Sequence, residues 1–148
     1  MLLALDIGNT NVTAGIFNRV NLQTVQRYEL DNPAGDTFQS LSDFDIEHTI
    51  ISSVVPFQTE KYGIACIDIF GYDPFIVRHD NVPGLKLNVD IPASVGSDRI
   101  CNIIAGTSLF DPPMIIVDFG TGTTYDVIDN SGGFIGGAIA PGIDVSAK

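Results

Sequence analysis

Apolar and polar residues alternate along the first third of the chain in strand-like fashion. Residues 2–6 and 12–18 read as two strands around a polar turn, and residues 23–30 (QTVQRYEL) as a third that completes a meander. Pro33 opens a short helix over about residues 34–42, with Phe38 and Leu41 on one face. Residues 49–55 form a buried strand ending near Pro56. A helix then runs to Phe70, with Ile64, Ile67 and Phe70 turned inward and Gly71 just past its end. Residues 74–77 are a further short strand. Residues 80–97 show neither period and contain Pro83, Gly84 and Pro92; loops of that length in compact domains are often functional. Ile100, Ile103, Ile104 and Thr107 keep helical spacing, so a helix starts near Asp98 and ends before Pro112-Pro113. Residues 113–139 supply three more strands. The layout predicts a mixed α/β fold with a first domain over 1–112 and a second beginning at 113.

One pattern occurs twice. Ile115-Ile116-Val117 leads into Asp118-Phe119-Gly120-Thr121-Gly122-Thr123-Thr124 and then Tyr125-Asp126-Val127-Ile128. Near the start, Leu2-Leu3-Ala4-Leu5 leads into Asp6-Ile7-Gly8-Asn9-Thr10-Asn11 and then Val12-Thr13-Ala14-Gly15-Ile16. Each copy is apolar strand, Asp-x-Gly, polar turn, second strand. Glycine lets a backbone approach a phosphate closely, threonine hydroxyls donate to its oxygens, and an acid at the strand end can hold a cation against them. The alternative for either copy alone is a tight hairpin whose Gly and Thr only make the turn. Repetition across most of the chain favours two related halves, with two phosphate-gripping hairpins enclosing a nucleotide. The second copy is followed by far less chain than the first, so its sheet is expected to lack covering helices and expose an apolar face. The chain is expected to be the front part of a longer protein.

Composition narrows the partners. The chain has 148 residues, is 45% hydrophobic, and carries a net charge of −11 with seven Lys and Arg. That balance argues against a nucleic-acid surface, which needs cationic side chains along the phosphate backbone. An acidic protein that binds phosphates relies on metal ions and backbone N–H groups instead of a basic patch. Cys66 and Cys101 lie far apart without a Cys-x-x-Cys pattern and are expected as buried thiols in a reducing compartment. The N-terminus has no basic region and Asp6 interrupts its apolar run, which is unlike a signal peptide. No apolar stretch approaches the ~18 residues of a membrane-spanning helix. The expected location is cytoplasmic, with no membrane partner.

Among residues with chemistry, Asp98 stands out. At a helix N-terminus it is either a favourable partner of the dipole or an ionised general base accepting a hydroxyl proton. Arg99 beside it either grips a carboxylate or phosphate or is a surface residue. Asp6 and Asp118 either carry cations or make Asx-type turns. Asp126 reads as structural, and His48 and His79 have no partner pattern. The glycines between Gly132 and Gly142 flank and interrupt an apolar strand, unlike a dinucleotide fingerprint, and no Walker lysine motif is present.

With those residues in view, the chain resembles the N-terminal part of the type III pantothenate kinases. The matching stretches are Asp6-Ile7-Gly8-Asn9-Thr10-Asn11, Ile51-Ser52-Ser53-Val54-Val55-Pro56, Gly96-Ser97-Asp98-Arg99, Asp118 through Thr124, and Gly136-Gly137-Ala138-Ile139-Ala140-Pro141-Gly142, in family order. The resemblance implies an actin-like, ribonuclease H-like fold of duplicated domains with mixed sheets, as in the acetate and sugar kinase, Hsp70 and actin superfamily. It implies transfer of the ATP γ-phosphate to pantothenate, with Mg²⁺, in a homodimer. Carried over, Asp6, Ile7, Gly8, Asn9, Thr10, Asn11, Val12 and Thr13 resemble the first phosphate-binding loop, and Thr121 an ATP contact. Asp98 matches the proton acceptor, Gly96, Ser97, Asp98 and Arg99 the pantothenate-binding segment, and Asp118 the ligand of a monovalent cation, K⁺ or NH₄⁺. Two positions depart from the family pattern: Ser97 stands where alanine is usual, and Val89 where a tyrosine usually touches substrate. The other readings are a non-catalytic nucleotide-binding or regulatory relative, and a kinase of the same superfamily with another small hydroxyl substrate.

Overall fold

Leu3, Leu5 and Ile7 alternate with Leu2, Ala4 and Asp6, and that alternation makes β1 (Leu2–Ile7) a strand with one fully apolar face. In the computed structural model, which describes residues 1–146, contacts divide the chain into two units, Met1–Val77 and Arg78–Lys148. In the first, β2 (Asn11–Asn18) lies antiparallel to β1, and β3 (Asn21–Glu29) antiparallel to β2. β4 (His48–Ser53) runs parallel to β1, and the short β5 (Phe75–Ile76) parallel to β4. The sheet order is β3-β2-β1-β4-β5.

Parallel neighbours need crossovers, and helices provide them. α1 (Ala34–Gln39) precedes β4, and α2 (Pro56–Phe70) connects β4 to β5. Phe38, Leu41, Tyr62 and Cys66 from this helical layer join Leu3, Leu5, Val12, Ile16 and Ile51 in one core. The Phe38 and Tyr62 rings meet edge to face, with centroids 5.7 Å apart. The buried Tyr62 hydroxyl lies 3.0 Å from Thr37 Oγ1, which satisfies a polar group that would otherwise be costly to bury.

One expectation about α2 fails. Ile64 and Ile67 are about half exposed, and the inward residues are Gln58, Tyr62 and Cys66, with Phe70 packed behind them on Phe38. α2 is apolar on more than one side, so periodicity could not select its buried face. The aromatic fit to Phe38 selects it.

In the second unit, α3 (Ser97–Leu109) packs on a three-stranded antiparallel meander of β6 (Met114–Phe119), β7 (Gly122–Ile128) and β8 (Phe134–Pro141). A short helix, α4 (Ile143–Ser146), follows. Of α3, the residues Arg99, Asn102 and Gly106 meet the sheet, a spacing of three and four that marks one helical face. The segment expected as a loop is partly docked: the Asn88 N–H donates to the Phe134 carbonyl at 2.8 Å, and the Phe134 N–H to the Lys86 carbonyl at 2.9 Å. A 3₁₀ turn, Pro92–Ser94, then leads to Gly96, the N-cap of α3. On the opposite face of the sheet, Ile115, Val117, Phe119 and Tyr125 are exposed, which agrees with the uncovered face expected there. No helix among the described residues is long and apolar enough to cross a membrane.

Candidate functional site

The two Asp-x-Gly copies form two hairpin turns, one in each unit. In the first, Asp6 at the end of β1 is in register with Thr13 on β2 and Ser52 on β4, so three polar residues stand in a row across three strands. The Gly8 N–H donates to the Asn11 carbonyl at 3.0 Å and closes the turn. Asn9 and Thr10 are exposed at its tip, where Asn11 Nδ2 donates to Thr10 Oγ1 at 2.8 Å. A tip of small and hydroxyl-bearing residues held by its own hydrogen bonds is suited to an anionic ligand.

In the second hairpin the Gly120 N–H donates to the Gly122 carbonyl at 3.0 Å. Asp118 at the end of β6 is exposed and in register with Thr124. Asn102 of α3 donates its Nδ2 to Asp118 Oδ2 at 2.8 Å, so the helix orients this carboxylate. Thr121 is exposed at the turn, and the Gly142 N–H donates to its carbonyl at 3.1 Å. Gly142 allows that approach, since a Cβ there would overlap the Gly120 carbonyl oxygen. Among the described residues no group of three or more His, Cys, Asp or Glu gathers around a common point.

Asp98 lies in the first turn of α3, half-buried, with Oδ1 accepting the Arg99 backbone N–H at 2.7 Å. Gly96 is the N-cap and Ser97 the first helical residue. Arg99 points onto the sheet. Its Nε donates to Asp126 Oδ1 at 2.7 Å and its Nη2 forms an ion pair with the same oxygen. Asp126 is fully buried, and the guanidinium lies 5.2 Å from the centroid of the Phe134 ring.

Arg99 also forms part of the wall of a pocket of about 310 Å³. Val89, Ile91, Val95 and Phe134 supply apolar wall, and Asp90 a rim carboxylate. The structure thus brings Val89 and Arg99 together, while Gly96, Ser97 and Asp98 form the helix start from which Arg99 projects. The turn leading to Phe134 is tied by Asp129: the Ser131 hydroxyl, then the Gly133 and Ser131 N–H groups, hold its carboxyl below the usual carboxylate range. Sequence reasoning gave Asp126 only a structural role and passed over Phe134 and Asn102. Asp126 left one signal, an acid at an inward position between Thr124 and Ile128 on a strand. Phe134 and Asn102 left none, because an aromatic at a strand start and an amide in a helix are ordinary.

Residues 2–148 match the family described as type III pantothenate kinase. A type III pantothenate kinase from Listeria monocytogenes serotype 4a (strain HCC23) is 40% identical over 159 residues, which cover 100% of this chain and 61% of that protein. The chain therefore spans about three-fifths of the length of the curated relatives it matches. A crystal structure of a conserved putative Baf family transcriptional activator from Campylobacter jejuni has a TM-score of 0.56 at 21% identity, covering 96% of this chain and 55% of that one. The ethanolamine utilization protein EutJ from Carboxydothermus hydrogenoformans has a TM-score of 0.55 at 12% identity, covering 95% of this chain and 51% of that one. At such identities the likeness concerns fold alone, and it agrees with the mixed α/β architecture expected from the sequence.

Proposed function

The chain belongs to the type III pantothenate kinase family, and on that premise we propose that the protein transfers the γ-phosphoryl group of ATP to pantothenate. The product is 4′-phosphopantothenate, in the first step of coenzyme A biosynthesis. The observation that carries this reading is the pocket beside α3. It combines apolar walls with one guanidinium, Arg99. Pantothenate is a small molecule with a geminal dimethyl group and one carboxylate, and such a pocket complements both.

In this reading Arg99 binds the carboxylate of pantothenate, and Gly96, Ser97 and Val89 shape its site. Asp98 accepts the proton of the attacking primary hydroxyl. That oxygen bonds to the γ-phosphorus as the bond to the ADP oxygen breaks, and ADP leaves with the electron pair. The Asp6–Thr13 turn and Thr121 bind the phosphates of ATP through N–H and hydroxyl donors. When bound, Mg²⁺ and a monovalent cation, K⁺ or NH₄⁺, supply positive charge against the phosphate oxygens, with Asp118 the residue that would hold the monovalent ion.

The reading takes 1–112 and 113–148 as belonging to two duplicated halves, each opening on one hairpin. It also places the protein in the cytoplasm as a homodimer, apart from nucleic acid and membranes. The net charge of −11 supports the exclusion of nucleic acid.

The test is a coupled assay of ADP release on the full-length protein with ATP, Mg²⁺ and pantothenate. ADP release that depends on pantothenate and is faster in K⁺ or NH₄⁺ than in Na⁺ is the expected result. Equal rates in Na⁺ and K⁺ would remove the monovalent site from Asp118. ATP binding without turnover on pantothenate would overturn the kinase reading in favour of a non-catalytic relative.

A further inference from the structure

We propose that Asp126 is a positioning residue that determines selectivity for a carboxylate-bearing substrate by fixing the guanidinium of Arg99. The inference rests on the reading of Arg99 as the carboxylate-binding group. Asp126 is fully buried on β7, and its Oδ1 receives Nε of Arg99 at 2.7 Å while forming the ion pair with Nη2. Two donors of the guanidinium fork therefore converge on one oxygen, and the pair does not take the bidentate form that would use both carboxylate oxygens.

Two features make this arrangement more than a tie between helix and sheet. First, Nη2 is buried against Asp126 Oδ1, while the arginine side chain forms part of the pocket wall. A ligand carboxylate in the pocket would meet the donors of the fork that Asp126 does not hold. Second, the guanidinium is confined from other directions. The Phe134 ring lies 5.2 Å from it, and the backbone of Gly137 passes so close that a Cβ there would stand 2.6 Å from Nη2. Long arginine side chains lose much rotamer freedom when they bind. Here Asp126, Phe134 and Gly137 have removed that freedom before the ligand arrives.

Net charge does not draw an anion into this pocket, because Asp126 neutralises Arg99 and Asp90 adds a carboxylate to the lining. Recognition then depends on the direction of the remaining donors, which Asp126 sets. This function needs the carboxylate of Asp126 and an Arg99 held in one orientation. A purely structural tie would need only that α3 stay attached to β7.

The experiment compares wild type, Asp126→Asn, Arg99→Gln and the double variant in the full-length protein. Each is assayed with pantothenate and with the uncharged analogue in which an alcohol replaces the carboxylate, at saturating ATP. Pantothenate binding is also measured by calorimetry without ATP. Asp126→Asn is expected to raise KM and Kd for pantothenate about tenfold, the worth of one charge-assisted hydrogen bond. The values of kcat, of KM for ATP and of KM for the uncharged analogue are expected to stay within about twofold. The double variant is expected to be no worse than Arg99→Gln alone, because residues that act as a unit are not additive.

An equal rise in KM for the acid and the alcohol would overturn the proposal, as would additive losses. If Asp126→Asn does not fold, Arg99→Met is compared with Arg99→Met/Asp126→Leu, which leaves no buried charge. Equal KM for pantothenate in those two supports the proposal, and a higher KM in the double variant overturns it. If wild type neither binds nor phosphorylates pantothenate, the functional reading fails and takes this inference with it. If wild type does both and Asp126→Asn matches it, only the inference fails.

Discussion

Asp98 and Arg99 are neighbours in sequence with different surroundings. The Asp98 carboxylate stays at the open end of α3, bonded to the next backbone N–H, whereas Arg99 turns onto the sheet and finds a buried acid. An acid in the first turn of a helix is compatible with the helix dipole, and a carboxylate is the group that a proton acceptor has to offer. Asp98→Asn preserves shape and removes that capacity. In the proposed reaction, turnover of the full-length protein is expected to fall about 10²–10⁴-fold, the usual worth of a general base, with the Kd for ATP unchanged. Wild-type turnover in this variant would take Asp98 out of the mechanism. The candidate status of Asp98 and Arg99 was legible in the sequence because both lie in one short motif. Asp126 was not, because its meaning comes from a partner on α3, distant in sequence.

At the scale of elements, glycines separate tolerant positions from forbidden ones. Gly63 lies inside α2 with nothing within 4 Å of where a Cβ would stand. Glycine in a helix interior costs about 0.5–1 kcal/mol relative to alanine. Gly63→Ala is expected to raise stability by that amount in urea unfolding. Gly137 on β8 is the opposite case: a Cβ would overlap the Tyr125 carbonyl oxygen on β7 and crowd Arg99 Nη2. Gly137→Ala therefore has to part β8 from β7 or displace Arg99, at a cost of about 1–3 kcal/mol, and should weaken pantothenate binding. A Gly137→Ala protein with wild-type stability and wild-type affinity would show that β8 does not confine the guanidinium.

For the whole molecule, pH and exposed surface give two further expectations. Burial pushes the Cys66 thiol above its ordinary value of 9.0 and the Tyr62 and Tyr72 hydroxyls above theirs of 10.0. Each group is protonated in the folded protein at a pH where the unfolded chain already releases its proton. The unfolded state then binds fewer protons, so stability falls as pH rises through that window. The urea midpoint is expected to be flat near neutrality and to drop above about pH 9, first for Cys66 and then for the tyrosines. Cys66→Ala should remove the first part of the drop, and an unchanged profile would show that the thiol titrates alike in both states. The row of Ile115, Val117, Phe119 and Tyr125, up to 69% accessible at Phe119, places four exposed apolar side chains on one sheet face, and contiguous exposed apolar patches favour association. The 148-residue chain by itself is expected to self-associate in sedimentation and to bind a hydrophobic dye. A dilute monomer without dye binding, whose amides in residues 114–128 exchange as slowly as those in 2–18, would refute this.

By itself, the sequence determined the strands, the two Asp-x-Gly hairpins and the helix beginning near Asp98, within a residue of its observed start at Ser97. Those features depend on local periodicity, on turn chemistry and on which residues tolerate a tight backbone. Tertiary structure decided the rest. It turned Tyr62 and Cys66 inward in place of Ile64 and Ile67, because Phe38 and Thr37 offered a ring and a hydroxyl to meet them. It docked the aperiodic arm of residues 86–88 on the start of β8 through backbone hydrogen bonds that carry no side-chain signature. It also gave Arg99 its buried partner, since an ion pair between α3 and β7 exists only once the helix has packed on the sheet.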